Sequence, residues 1–244
     1  MKSVDIFGIN FAITDYKGAV NEILDNVRSK SPFKVFALPV HGVIEYQNDE
    51  EFRRAVDAAD MVVPDGQPVR WAMNCFYDTG LKDRVYGPFL MQSLLEEANQ
   101  AGMSVFLYGG KTKKVLSDLS LSIQKDYSKV NVCGVYREDS IGIETLSIEF
   151  LNECEPDIVF VGLGCPNQEK WIAKNGDALN AVTIGVGAAF NFYAGEVAMA
   201  PRWMQDLGLE WLYRLRMEPR RLWKRYLYTN SYFVFLFIQK LLFK

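Results

Sequence analysis

Short apolar runs of strand length alternate with longer amphipathic stretches along the first 200 residues of the chain. Several of the short runs are apolar at every position, which is typical of parallel strands covered on both faces. This alternation predicts an α/β fold, in which helices cover both faces of a mostly parallel sheet. The predicted strands are residues 4–10, 34–40, 61–63, 104–108, 130–135, 157–162 and 181–186.

The stretches between these strands have the spacing of amphipathic helices. Residues 15–29 place five apolar side chains on one helical stripe: Ala19, Val20, Ile23, Leu24 and Val27. Further helices are predicted at residues 67–76, 89–101, 115–127 and 143–154. No linker rich in Pro, Gly or Ser interrupts this part of the chain, so residues 1–200 are predicted to form one doubly wound unit.

The pattern changes after Pro201. Residues 201–244 hold nine Lys or Arg against three acids, whereas residues 1–200 hold eighteen against twenty-seven. The last part of this tail, residues 226–243, is aromatic and aliphatic, but polar residues make it too short and too polar to span a bilayer. We predict a helical, membrane-associating appendage, with aromatic rings at headgroup depth and basic side chains on phosphates. The alternative is a helix that packs on the body or on another subunit. Packing on another subunit would make the protein a homo-oligomer.

Composition narrows the class of protein further. The acidic balance of residues 1–200 argues against a nucleic-acid binder. The N-terminus lacks the long apolar run of a signal peptide, and the cysteines are scattered without a Cys-x-x-Cys pair, so a cytoplasmic protein is predicted. A zinc site or a disulfide framework is disfavoured by the positions of the four cysteines, Cys75, Cys133, Cys154 and Cys165.

The first candidate for chemistry is Asp65, in the sequence Val63-Pro64-Asp65-Gly66. Ligands of open α/β sheets bind beyond the carboxyl ends of the strands, and Asp65 directly follows a predicted strand. A carboxylate in that position can act as a general base. An equally good interpretation of the spacing is that Asp65 caps the helix that follows.

Gly109-Gly110-Lys111 also follows a predicted strand and precedes a predicted helix. Glycines allow a backbone to approach a ligand closely, and Lys111 adds a positive charge next to the start of a helix, where phosphate binds. Two glycines after a strand also make an ordinary tight turn, so both interpretations remain open.

Residues 161–171 contain a second turn, shaped by Gly164 and Pro166, from which Gln168 and Glu169 enter a helix. Gln168 could hydrogen-bond the edge of a sugar or a base. Glu169 could contribute to the same site, although an acid in the first turn of a helix is also explained by the helix dipole.

The sequence Gly185-Val186-Gly187 suggests a dinucleotide-binding turn, but Phe190 stands where the third glycine belongs, so an NAD-linked oxidoreductase is disfavoured. The single histidine, His41, lies at the end of a predicted strand, where it could orient a substrate. No Ser/His/Asp or metal-ligand cluster can be built around it, so a structural role is favoured while the functional one stays open.

Several motifs follow one another in an order that resembles the WecG/TagA/CpsF family, glycosyltransferase family 26, over about residues 4–225. They are Pro64-Asp65-Gly66, Arg84-Val85-Tyr86-Gly87, Leu107-Tyr108-Gly109-Gly110, Gly162-Leu163-Gly164-x-Pro166-x-Gln168-Glu169, Gly185-Val186-Gly187-x-x-Phe190, Ala200-Pro201-x-Trp203, Gly208-Leu209-Glu210-Trp211-Leu212-Tyr213-Arg214-Leu215 and Glu218-Pro219-x-Arg221-Leu222.

The resemblance implies a Rossmann-like body and an inverting glycosyl transfer that needs no metal or other cofactor. The sugar, N-acetylmannosamine or a related hexose, would pass from a UDP-sugar to a polyprenyl-diphosphate-linked sugar in the synthesis of cell-surface polysaccharide or teichoic acid. An appendage at residues 201–244 would meet the membrane at its inner face and could complete the site.

The resemblance also assigns roles to individual residues. The family's base falls on Asp65, and its glutamine falls on Gln168. The cations of the appendage, which would clamp the lipid diphosphate, fall on Arg214 and Arg221, with Lys224 or Arg225 as a third. The substrate-binding residues predicted around Asp65 are His41, Arg84, Gly109, Gly110, Lys111, Gly164, Pro166, Gln168, Glu169 and Gly187.

Two positions depart from the family pattern. The chain has Ala37-Leu38-Pro39 where many members have Thr-x-Asn, and Phe89 where an acidic residue is common. Both changes remove polar groups near the expected pocket, so the donor sugar is left open. The competing hypotheses are an NAD-linked Rossmann oxidoreductase and a non-catalytic, membrane-associated adaptor that binds nucleotide.

Overall fold

The computed structural model describes residues 1–137 and 147–243. The chain begins with an antiparallel hairpin of β1 (Ser3–Ile6) and β2 (Ile9–Ala12), which pairs with no strand of the main sheet. The prediction of a single strand at residues 4–10 is therefore wrong. Phe7 and Gly8 have φ angles of 56° and 92°. Two successive positive φ angles are typical of a two-residue hairpin turn, and this turn folds the apolar run back on itself.

The main sheet contains six strands, all paired in parallel. They are β3 (Phe33–Leu38), β4 (Met61–Pro64), β5 (Ser104–Gly109), β6 (Asn131–Tyr136), β7 (Ile158–Gly162) and β8 (Val182–Gly185). Their order across the sheet is β4-β3-β8-β7-β5-β6. The predictions at residues 34–40, 61–63, 104–108, 130–135, 157–162 and 181–186 are confirmed, with bounds that differ by at most about two residues.

The described helices are α1 (Tyr16–Ser29), α2 (Val40–Asn48), α3 (Glu50–Asp57), α4 (Gln67–Tyr77), α5 (Gly87–Ala101), α6 (Lys113–Asp126), α7 (Ile148–Glu153), α8 (Asn167–Asn175), α9 (Ala189–Tyr193), α10 (Arg202–Asp206), α11 (Glu210–Met217) and α12 (Pro219–Leu242), with a 3₁₀ turn at Gly176–Ala178. The predicted helices at residues 15–29, 67–76, 89–101 and 115–127 are confirmed. The helix predicted at residues 143–154 is confirmed for its second half only, because residues 143–146 lie outside the described residues. The sequence pattern missed α2 and α3, each of which is shorter than the 10–12 residues that separate a helix from a buried strand by length.

Helices cover both faces of the sheet because successive strand residues point in opposite directions. Val105 and Leu107 of β5 join a core formed with α1, α5, α6 and α9. Phe106 and Tyr108 join a second core, formed with the hairpin, α2, α3, α4, α7, α8 and α12. The architecture is consistent with the Rossmann-like prediction, and its carboxyl edge gathers the loops that follow β4, β5, β7 and β8.

The C-terminal helix α12 packs along the body through one of its faces. Phe233 is only 5% exposed, and its ring meets the Phe7 ring edge-on at 5.5 Å between centroids. The ring of Phe237 lies 4.9 Å from that of Phe76 on α4, and Lys240 Nζ donates to the carbonyl oxygen of Asp5 at 2.8 Å. The interpretation of a helix that packs on the body therefore holds for this face.

The opposite face of α12 is apolar and exposed. Its large exposed side chains, here called the outer face, are Trp223, Leu227, Val234, Phe235, Ile238, Leu241 and Leu242. They recur at the spacing of one helical stripe, on the side away from Phe233. Among the described residues, no helix combines the length and apolarity needed to cross a membrane.

Candidate active site

Asp65 lies directly beyond the carboxyl end of β4, and its carboxylate is fixed from a neighbouring segment. Its Oδ1 accepts a hydrogen bond from the Gly87 N–H at 2.7 Å. The Val85 N–H donates to the Pro64 carbonyl at 2.9 Å, so residues 84–87 run alongside the strand end. The helix-cap interpretation of Asp65 is wrong, because Gly66 is the N-cap residue of α4 and no side chain caps that helix. Asp65 instead bonds the backbone of the segment that precedes α5.

The surroundings of Asp65 change its acidity. Burial raises the pKa of the Asp65 carboxyl from 3.8 to about 6. Arg84, the Gly87 N–H and Arg214 favour the ionised form and oppose this rise, whereas Glu210 adds to it. A carboxylate with a pKa near 6 is mostly ionised at neutral pH and binds a proton more strongly than an ordinary aspartate does, as a general base requires.

Arg84 and Tyr86 reach into the same buried space next to Asp65. They lie two residues apart in the segment that precedes α5. Glu210, the first residue of α11, meets both: Arg84 Nη2 lies 2.6 Å from Glu210 Oε2, and Tyr86 Oη donates to Glu210 Oε1 at 2.7 Å. The Arg84 guanidinium also lies over the Tyr86 ring, 4.2 Å from its centroid. All three residues are buried, at 7%, 5% and 9% exposure.

Gln168 ties together the loops that follow β7 and β8. Its Oε1 accepts hydrogen bonds from the N–H groups of Gly164 at 3.2 Å and Gly187 at 3.0 Å. Its Nε2 donates to Glu169 Oε1 at 2.9 Å, and the side chain is buried. Gly185 has no room for a side chain, since an added Cβ would lie 2.9 Å from Gln168 Nε2. The predicted substrate-binding residues Gly164, Gln168 and Gly187 thus form one rigid unit whose hydrogen bonds are internal.

Glu169 is a fully buried carboxyl group in the first turn of α8. Burial raises its pKa from 4.5 to about 7, and the negative charge of Asp65 acts in the same direction. The Cys165 thiol interacts with this carboxyl, and burial raises the pKa of that thiol well above its ordinary value. Glu169 Oε2 has no hydrogen-bond partner among the described residues. A first-turn preference alone does not account for a carboxyl that is removed from water.

The Gly109-Gly110-Lys111 turn lies against the end of β7. Gly109 and Gly110 have φ angles of 107° and 89°, which only glycine adopts readily. The Gly110 N–H donates to the Gly162 carbonyl at 3.0 Å, and an added Cβ on Gly109 would lie 2.9 Å from the Gly162 carbonyl carbon. Lys111 is exposed, and α6 begins two residues later behind its capping residue Thr112. The glycines bring the start of α6 and the Lys111 ammonium to the carboxyl edge of the sheet.

His41 lies in the first turn of α2, so its predicted position at the end of a strand is wrong. The strand stops at Leu38 because Pro39 breaks the ladder and the helix begins at Val40. Burial and, to a smaller extent, the positive charge of Arg225 lower the pKa of His41 from 6.5 to about 4, so the imidazole is neutral at physiological pH. Within the part of the chain that the structure describes, no group of three or more His, Cys, Asp or Glu could hold a metal ion.

Comparison with known proteins decides the family. Residues 4–244 match the model of the Glycosyl transferase WecG/TagA/CpsF family. The chain belongs to this glycosyltransferase family. It is 35% identical over 185 residues, 75% of this chain and 71% of the relative, to the N-acetylglucosaminyldiphosphoundecaprenol N-acetyl-beta-D-mannosaminyltransferase of Bacillus subtilis strain 168. The protein of the same name from Bacillus spizizenii is 32% identical over 206 residues, which are 84% of this chain and 78% of the relative. The one from Staphylococcus aureus MW2 is 28% identical over 225 residues, which are 91% of this chain and 86% of the relative.

Membership of a glycosyltransferase family displaces the oxidoreductase hypothesis, and the geometry gives the glycines near β8 another purpose. Phe190, which occupies the place of the third glycine, is fully buried against Gly162, where an added Cβ would lie 2.5 Å from the ring. Gly185 leaves room for the Gln168 side chain, and the Gly187 N–H donates to it. In this glycosyltransferase the segment is therefore a packing and hydrogen-bonding unit.

The predicted cations of residues 201–244 act on different groups of the structure. The charge of Arg214 acts on Asp65, and that of Arg225 acts on His41. Arg221 pairs with Glu218, whose pKa is lowered first by that hydrogen bond and further by Lys111 and Arg214. Lys224 differs, because it is exposed and its ammonium lies 5.5 Å from the Trp223 ring, next to the outer face.

Of the two departures from the family pattern, the one at residues 37–39 lies beside Asp65, whose N–H donates to the Leu38 carbonyl at 3.2 Å. Ala37 would touch a Cβ added to Gly87 at 3.7 Å, and Leu38 is buried in the core. The Phe89 ring lies edge-on to the Tyr86 ring at 5.5 Å, and the Arg202 guanidinium lies 5.8 Å from its centroid. An aromatic ring at position 89 thus links the body to α10.

Sequence reasoning missed the buried partners that the appendage supplies. Glu210, Tyr86 and Gln205 surround Arg84, and Gln205 Oε1 lies 3.5 Å from Arg84 Nη2. The motif that begins at Gly208 contains Glu210, so the ordered motifs pointed to the right segment. They gave Glu210 no role, because a sequence does not show that residues 126 positions apart meet.

Proposed function

We propose that the protein transfers a sugar, N-acetylmannosamine or a related hexose, from a UDP-sugar to a polyprenyl-diphosphate-linked N-acetylglucosamine, with inversion. The observation that carries this proposal is Asp65, a carboxylate fixed by the Gly87 N–H at the carboxyl edge of the sheet, whose ionised form is favoured by the charge of Arg214. The names of the relatives support the acceptor and the type of sugar.

In the proposed reaction, Asp65 takes the proton of the acceptor hydroxyl while that oxygen attacks the anomeric carbon of the donor. The bond from the anomeric carbon to the UDP oxygen breaks, and the negative charge moves onto the leaving diphosphate. Attack on the side opposite to the leaving group inverts the configuration. A positioned base of this kind contributes roughly 10²–10⁴-fold to the rate.

The leaving diphosphate needs positive charge or free N–H groups. The N–H groups of Gly110, Gly164 and Gly187 already donate within the protein. The loop glycines therefore shape the site, while Lys111 and the N-terminus of α6 are the groups suited to the diphosphate. The internal bonds of Gln168 support a positioning role for the predicted substrate-binding glutamine, since they fix the loops after β7 and β8.

The acceptor diphosphate is proposed to lie against the cations of the appendage. The charge of Arg214 acts on Asp65, so a diphosphate bound by Arg214 would bring the linked sugar toward the base. Arg221 and Arg225 extend the positive surface, and Arg221 exchanges Glu218 for phosphate oxygens when the acceptor binds. Lys224 lies beside the outer face, where phosphates of the surrounding lipids would meet it.

The outer face of α12 is proposed to lie in the interfacial region at the inner face of the cell membrane. Its apolar side chains are exposed while the other face of the helix packs on the body. The N-terminal part of the same helix is basic, with Arg220, Lys224 and Arg225. An exposed apolar face that adjoins a basic segment is the pattern of a helix that binds anionic lipid surfaces.

The proposed reaction is tested by a donor screen. Purified protein is given a short-chain polyprenyl-diphosphate N-acetylglucosamine and one of several UDP-sugars, and the lipid product is separated and its new linkage determined. We expect transfer from UDP-N-acetylmannosamine or a related UDP-hexose, with inverted configuration. Binding of UDP-sugars without transfer to any lipid-linked acceptor would contradict the proposal and support an adaptor.

Membrane association is tested separately with the double variant Val234→Glu/Ile238→Glu, which changes two exposed side chains. Sedimentation with vesicles that contain anionic lipid should fall at least tenfold, because two charges would enter an apolar layer. Circular dichroism should show the same thermal unfolding as the wild type. Vesicle binding equal to that of the wild type would contradict the interfacial placement of α12.

A further inference from the structure

The position of Glu210 is fixed by features of the chain that precedes it. Gly208 has a φ of 69° and lies so close to α4 that an added Cβ would be 2.8 Å from Trp71 Cη2. Gln205 Nε2 donates to the Ala200 carbonyl at 2.8 Å, which secures the short helix α10. The chain therefore enters α11 with Glu210 directed into the body, where it contacts Arg84 and Tyr86.

A buried guanidinium needs an anionic partner, since an unpaired charge in a dry environment is strongly unfavourable. Two buried or partly buried carboxylates act on the Arg84 charge, Glu210 and Asp65. In this structure Glu210 holds Arg84 with an ion pair of 2.6 Å, whereas Asp65 is bonded to the Gly87 N–H. Without Glu210, Asp65 is the carboxylate left to pair with Arg84.

We propose that Glu210 is a positioning residue for the reaction: by holding Arg84 and Tyr86, it keeps the Arg84 guanidinium away from Asp65 and leaves that carboxylate free to accept a proton. Docking of α11 on the body then both brings Arg214 to the site and frees the base. The inference rests on the proposed function in one respect, the role of Asp65 as the base. It adds that the appendage controls this base through an anion as well as supplying cations.

The charged and titratable groups that face Asp65 come from four parts of the structure. They are Arg84 and Tyr86 in the segment before α5, Tyr16 on α1, Glu169 on α8, and Glu210 and Arg214 on α11. Burial has the largest effect on the pKa of Asp65 and raises it, Arg84 lowers this pKa, and Glu210 raises it. Loss of the Glu210 charge therefore removes one upward influence and strengthens the downward one, so the pKa of Asp65 should fall.

The test measures the titration of Asp65 directly. Protein labelled with ¹³C at the aspartate carboxyl is titrated by NMR, and the Asp65 signal is identified by its absence from Asp65→Asn. In Glu210→Gln we expect the Asp65 midpoint to fall by about one pH unit, the size of effect that an adjacent opposite charge produces. The acidic limb of kcat/KM should move to lower pH by a similar amount.

Two further variants give the control and the rescue. Asp206→Asn removes the same charge from the appendage at an exposed ion pair with Arg202, and it should leave the Asp65 midpoint unchanged. Glu210→Asp keeps the charge and should restore much of the wild-type midpoint.

A double variant separates the proposed contact from simple loosening of α11, which would also lower the midpoint by admitting water. In Arg84→Met/Glu210→Gln no guanidinium remains to pair with Asp65, so the midpoint should return to the wild-type value or above it. The proposal is overturned if Glu210→Gln leaves the midpoint unchanged, or if the double variant keeps the lowered midpoint. Failure of the base assignment would look different: Asp65→Asn would remain active, whatever the titration shows.

Discussion

The packing of α12 on the body gives a prediction about stability whose size follows from the structure. Phe233 is 5% exposed and contacts Phe7 edge-on, whereas Phe235, two residues later, is 59% exposed. Truncation of a buried phenylalanine to alanine costs about 3–5 kcal/mol, which includes the cavity that remains. Because Phe233 lies in the seam between a helix and the body, where neighbours can close the gap, we expect the lower figure. Phe233→Ala should therefore reduce the free energy of unfolding by about 3 kcal/mol.

Urea denaturation followed by circular dichroism measures this effect. With an m-value of about 3 kcal/mol/M, the upper end for small proteins, the midpoint for Phe233→Ala should fall by about 1 M. Phe235→Ala is the matched control: it changes the same residue type on the same helix, and it should shift stability by less than about 0.5 kcal/mol. Equal losses in the two variants would refute the assignment of inner and outer faces to α12.

Three further predictions concern the site. The kcat/KM of the wild type should fall to half of its plateau near pH 6 and decline further as the pH decreases, because Asp65 must be ionised to act as the base and its pKa is about 6; initial rates across pH 4.5–9 measure this, and a flat profile would be inconsistent with it. Glu169 has a raised pKa in the folded protein, so the free energy of unfolding of the wild type falls as the pH rises from about 4.5 to about 7. Glu169→Gln should therefore be more stable than the wild type by about 3 kcal/mol at pH 8 and equal to it near pH 4, as determined by urea titration at both pH values. Gly208→Ala should lower kcat/KM at least tenfold, because its Cβ would collide with Trp71 and displace the start of α11, which carries Glu210. Gly102→Ala is the control: it has the same φ of 69° and nothing within 4 Å, so it should lose only about 1 kcal/mol of stability and no activity.

Regular elements whose patterns are complete in themselves could be predicted from the sequence. The six parallel strands carry apolar runs of the right length, and α1 repeats its apolar stripe from Ala19 to Val27, over about two turns, so local periodicity identifies them. The hairpin at the N-terminus looked like one strand because Phe7 is apolar, and its positive φ is set by the turn and not by its hydropathy. The two short helices α2 and α3 have too few residues for a periodic signal.

Part of the candidate site could also be predicted from local sequence. Strand ends followed by glycine or aspartate marked Asp65 and Gly109 as residues at the carboxyl edge. The internal use of Gln168 was not visible, because the N–H groups that it binds belong to two loops that meet only in the folded chain. The pairing of Arg84 with Glu210 is a stronger case, since it joins the body to the appendage across 126 residues.

The central claim is that Asp65 takes the proton of a lipid-linked acceptor in a glycosyl transfer. It is tested most directly by Asp65→Asn, assayed for transfer from a radiolabelled UDP-sugar to a short-chain polyprenyl-diphosphate N-acetylglucosamine, with UDP binding measured by calorimetry on the same sample. Asparagine keeps the shape and can still accept the Gly87 N–H, so folding and UDP affinity should be unchanged within about threefold while transfer falls by roughly 10²–10⁴-fold. Transfer by Asp65→Asn at a rate close to that of the wild type would contradict the claim.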